Sequence, residues 1–89
     1  MGFNRHGELE IDLRGSDGNA FVILAYIKRA LNNNGYDPEQ VDYWMSKMKS
    51  GDYENLCRVA EEAYYDAIGD PIYWHENGKD VTLDEFFKK

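Results

Sequence analysis

At 89 residues, with 43% hydrophobic and 15% aromatic content, the chain makes one domain (residues 1–89) around a single small core and is too apolar for an intrinsically disordered segment. A net charge of −7 disfavours a generic DNA- or RNA-binding role, because an acidic surface repels phosphates. The lone Cys57 excludes an intramolecular disulfide, and the apolar run "AFVILAYI" is far too short to span a bilayer.

The chain opens "MGFNRH", Met-Gly but with His6 where a myristoylation signal needs Ser or Thr, and it shows no charged-then-apolar leader. A cytoplasmic protein is expected. "ELEIDLR" then alternates strictly, with Leu9, Ile11 and Leu13 on one side and Glu8, Glu10, Asp12 and Arg14 on the other. That period of two predicts a half-buried strand whose polar side stays wet.

"SDGNAFVILAYIKRALNNNG" predicts the first helix. Ala20, Ile23, Leu24, Ile27 and Leu31 form a stripe that Phe21, Val22 and Ala25 widen, as expected of a central helix covered on more than one flank. Asp17, or Ser16 beside it, is the expected N-cap, with Lys28 and Arg29 in the last turns and Gly35 ready for a left-handed cap. "DPEQ" starts a second helix, with Asp37 as N-cap, Pro38 in first position and Gln40 completing a capping box. Its stripe is Val41, Trp44, Met45 and Met48. A third helix begins at the cap Asp52; Leu56, Val59, Ala60, Ala63 and Ala67 face inward, while Glu61, Glu62 and Asp66 face solvent, and "GDP" ends it.

The tail reads as a hairpin turning at Asn77-Gly78, which sets Trp74 opposite Val81 and Ile72 opposite Leu83. A competing reading makes Thr82 and Glu85 a capping box for a short terminal helix carrying Phe86 and Phe87, and both hold if the second strand is short. The expected fold is therefore α+β: an N-terminal strand, three helices and a C-terminal hairpin, burying one side of a small antiparallel sheet.

Two places invite a functional reading. The turn "GSDGNAF" opens a helix N-terminus, where free amides and the dipole favour an anion; Arg14, Ser16, Gly18 and Asn19 would hold a phosphate or nucleotide. Against this, the spacing is not that of a Walker loop, and Asp17 supplies its own anion to the same amides. The second place is the surplus of aromatics, seven Tyr, four Phe and two Trp, more than a small core should need. Tyr43, Tyr53, Tyr64, Tyr65 and Trp74 are candidate interface anchors, with core and rim packing as the alternative.

Catalysis has little support. Cys57 beside Leu56 reads as a small buried apolar group, His6 and His75 are unclustered, and no serine sits in a nucleophile elbow. Neither metal nor cofactor is expected.

The pieces "GNAF" at Gly18 to Phe21, Ala30-Leu31 with Gly35, and "SGDY" at Ser50 to Tyr53 occur together over Asp12 to Leu56. In that combination the chain resembles a family of small bacteriophage and bacterial proteins without an assigned activity. The resemblance implies an origin and no mechanism, and it leaves the tail outside.

The expected function is a non-catalytic interaction protein, a phage accessory factor docking on a host protein through its second and third helices. Residues 39–70 hold eight Asp and Glu against Lys47, Lys49 and Arg58, so that this region carries most of the acidity. The alternative is a small-ligand protein that takes a nucleotide or anion at the 15–21 turn. Partners are expected to be another protein or a second copy of the chain, without nucleic acid or membrane.

Overall fold

The computed structural model describes residues 3–4 and 8–88. The expectation concerning His6 lies outside them. Strand β1 (Phe3–Asn4) pairs antiparallel with β2 (Glu8–Asp12). A single 3₁₀ turn (Ser16–Gly18) leads into α1 (Ala20–Asn33), followed by α2 (Pro38–Lys49) and α3 (Tyr53–Ile68). The hairpin β3 (Tyr73–Glu76) and β4 (Lys79–Asp80) comes next, and α4 (Leu83–Phe87) closes the order.

This is the α+β arrangement that the patterning implies, with one correction to the sheet. Its order is β1-β2-β3-β4, and the central pair β2–β3 runs parallel, Glu10 opposite Tyr73 and Asp12 opposite His75. The sheet is mixed, not antiparallel. The reason is parity: with three helices between them, the chain reverses four times from β2 to β3, an even number, so β3 returns in the direction of β2.

Leu9, Ile11 and Leu13 enter the core from β2, and Ile72 and Trp74 from β3 and its approach. The helices bury Ile23, Ile27 and Leu31, then Val41 and Met48, then Leu56, Val59, Ala60 and Ala63. The central helix is α3, which packs against α1, α2 and α4; its small Ala60 and Ala63 let neighbours approach closely. The first helix, expected at the centre, leaves Ala25 on the surface and Phe21 80% exposed.

Helix ends follow the sequence closely. Asp37 and Gln40 form the capping box of α2, and Asp52 accepts from the Asn55 amide. At the end of α1, Gly35 takes φ of 82°, with Tyr36 N–H on the Leu31 carbonyl and Gly35 N–H on Asn32, a Schellman closure. Because α1 runs on to Asn33, Lys28 and Arg29 precede its last turn. In the hairpin, Asn77 and Gly78 both take positive φ, and Val81 N–H bonds the Trp74 carbonyl as that register requires. The second strand then stops: Thr82 and Glu85 form a capping box and Leu83 enters α4, so Ile72 does not pair with it.

The polar side of β2 is networked more than wet. The Asp12 carboxylate accepts from the amides of Arg14 at 2.9 Å, Gly78 at 2.9 Å and Asn77 at 3.3 Å, tying the hairpin turn to the end of β2. Glu10 meets His75 across the ladder.

Candidate functional site

At the 15–21 turn the cap of α1 is Asn19, whose Oδ1 accepts from the Phe21 amide at 2.8 Å. Neither Asp17 nor Ser16 caps the helix. The 3₁₀ turn takes up Ser16 to Gly18 and delays the first helical residue to Ala20, so the cap position falls on Asn19 and not on Asp17. Its carboxylate instead accepts from the Tyr26 hydroxyl at 3.0 Å. Gly18 lies under the end of β2, and its carbonyl accepts from the hydroxyl of Tyr53 on α3. Arg14 turns away: its Nε meets Glu76 at 3.0 Å and its guanidinium lies 5.0 Å from the Phe86 ring centroid. The four residues expected around an anion are thus adjacent in sequence without converging. Asn19 occupies a helix amide, Arg14 is paired with a carboxylate, Gly18 is packed, and Ser16 is exposed.

The aromatic candidates separate into two groups. Tyr64 and Trp74, at 3% and 4% exposure, belong to the core, so neither is a surface anchor. Trp74 keeps its indole N–H satisfied by Glu61 at 3.2 Å, which draws Glu61 inward from the solvent-facing position expected of it. Tyr53 is half-buried on the Gly18 carbonyl, and burial pushes its phenol well above the ordinary value. Tyr43 and Tyr65 are 59% and 61% exposed.

Those two lie on the outer sides of α2 and α3, about a seam that sequence patterning did not single out. Lys47 reaches across it to Glu62 at 3.6 Å while standing 5.7 Å from the Tyr43 ring centroid and 5.2 Å from that of Trp44. Tyr43 and Trp44 meet edge-on, centroids 5.5 Å apart. The Tyr36 hydroxyl bonds Asp66 on the same side of α3. Glu39 and Asp42 on α2 and Glu62 and Asp66 on α3 are exposed as well. The missed members are Trp44 and Lys47. Their signal was the i, i+4 spacing of Tyr43 and Lys47 and the i, i+3 spacing of Trp44 and Lys47, which puts an ammonium over two rings.

Cys57 is fully buried, and burial pushes its thiol up to about 12. His75 has Glu10 at 3.1 Å from Nε2 and Asp80 at 3.1 Å from Nδ1. With both ring nitrogens on carboxylates, it clamps β2 to β4, and neither nitrogen is left to activate a nucleophile. Two acids on opposite nitrogens cannot share one ion, and among the described residues no cluster of three or more His, Cys, Asp or Glu could hold a metal. Nor is any helix among them long and apolar enough to cross a membrane.

No protein-family model, curated protein or solved structure matches the chain.

Proposed function

We propose that this chain is a non-catalytic interaction protein that docks on another protein through the outer face of α2 and α3. The observation that carries the reading is the exposure of Tyr43 and Tyr65, at 59% and 61%, within an acidic surround. Large rings already held in place lose little entropy on binding, and the Lys47 bridge fixes Tyr43 and Trp44 before any partner arrives. The acidity concentrated in residues 39–70 favours a partner with a basic surface and steers its approach. The resemblance to bacteriophage proteins suggests an accessory factor acting on a host protein in the cytoplasm.

The 15–21 turn offers an anion less, since Asn19 holds the helix amide and Arg14 is engaged with Glu76. The test is comparative capture from one lysate by the immobilised wild-type chain and by a Tyr43→Ser/Tyr65→Ser variant. The reading expects a protein retained by the wild type, released by added salt, and bound roughly 30-fold or more weakly by the variant. Equal retention by both would reject it.

A further inference from the structure

A second surface lies where the start of α1 meets the turn between α2 and α3. Phe21 projects there with 80% of its surface exposed, the most exposed of the large apolar side chains. The same ring forms part of the wall of a hollow of about 340 Å³, lined further by Leu24, Met48 and Leu56 and by the charged Lys49 and Asp52. About 150 Å³ is enough to house a benzene ring, so an aromatic side chain fits with room to spare. The hollow is apolar in its floor and charged only at its edge.

We propose that the occupant is the Phe21 ring of a second copy of this chain, in a two-fold symmetric dimer. A knob and a hole that adjoin on one surface are self-complementary: rotation about an axis between them seats each ring in the other copy's hollow. The rim charges agree with that placement. Lys49 makes no ion pair among the described residues, and Asp52 stands across the same hollow. A dimer that sets Lys49 of each copy beside Asp52 of the other pairs opposite charges reciprocally. This surface is separate from the one proposed above, and either reading can fail alone.

Sedimentation equilibrium from low micromolar to millimolar concentration tests the dimer. The expected result is a concentration-dependent doubling of mass in the wild type. Phe21→Ala should weaken the dimer roughly 30-fold or more, with an unchanged thermal melt at concentrations where both proteins are monomers, because the ring is exposed in the monomer. Lys49→Glu should weaken it as well, by reversing the rim charge, while Tyr43→Ser/Tyr65→Ser leaves it intact. A monomer at every concentration overturns the proposal and leaves the hollow to a different protein. A dimer that persists unchanged in Phe21→Ala or in Lys49→Glu also overturns it, since its interface would lie elsewhere.

Discussion

A Cβ built on Gly18 would stand 2.8 Å from the carbonyl carbon of Leu13 and overlap its oxygen. Backbone, not a flexible side chain, is what it would strike, so the turn cannot relax locally. Gly18→Ala should therefore push the 3₁₀ turn off the end of β2 and strain the Tyr53 bond to the Gly18 carbonyl. The expected cost is about 1–3 kcal/mol, read as a lower urea midpoint with an unchanged slope. Asp12 acts at the same strand end through charge. Its carboxyl is held below the ordinary value, most by the Arg14 amide; burial opposes this, next in size, and the amides of Gly78 and Asn77 add to the lowering. A folded-state value below the unfolded one contributes stability that is full above the unfolded carboxylate range. That contribution is lost as pH falls through the lowered folded value. Asp12→Asn should flatten the acid limb of a stability–pH profile, and a limb unchanged in that variant would show that other carboxylates set it.

Helix caps were the most legible elements, and the one misassigned cap shows where local signals stop. Asp37 with Gln40, Asp52, and Thr82 with Glu85 each stand directly before an apolar stripe, and each caps as its spacing implies. Ahead of α1, three capping residue types (Ser16, Asp17 and Asn19) occur within four positions. The choice among them is made by the contact between Gly18 and Tyr53, 35 residues apart. No local pattern carries that contact. Asn19→Ala should cost about 0.5–2 kcal/mol in a denaturant titration, whereas Asp17→Ala should be silent once Tyr26 is already Phe. A cost from Asp17→Ala that survives in the Tyr26→Phe background would return the cap to Asp17. The parallel pairing of β2 with β3 was likewise illegible. Alternation marks Leu9, Ile11 and Leu13 as a buried face but does not say which strand lies beside them.

For the whole molecule, composition foretold a surplus of rings and an acidic middle, and the structure sorts that surplus. Tyr64 and Trp74 are core, Tyr53 is a strut between α3 and the 3₁₀ turn, and Tyr43 and Tyr65 are surface. The sorting was hidden because a helix of inward alanines leaves space that only large rings from neighbouring positions fill.

The clasp at Asp12 has a further consequence, in time. Its carboxylate bonds the amide of Gly78, 66 positions along the chain. Helical contacts are local and form early, whereas a ladder that closes so long a loop bears the full loop entropy before gaining any bond. The expected order is therefore helices first and the β2–β3 pairing after them. In a refolding experiment, helical circular dichroism should recover ahead of the burial of Trp74, followed by its fluorescence with Trp44 replaced by Phe.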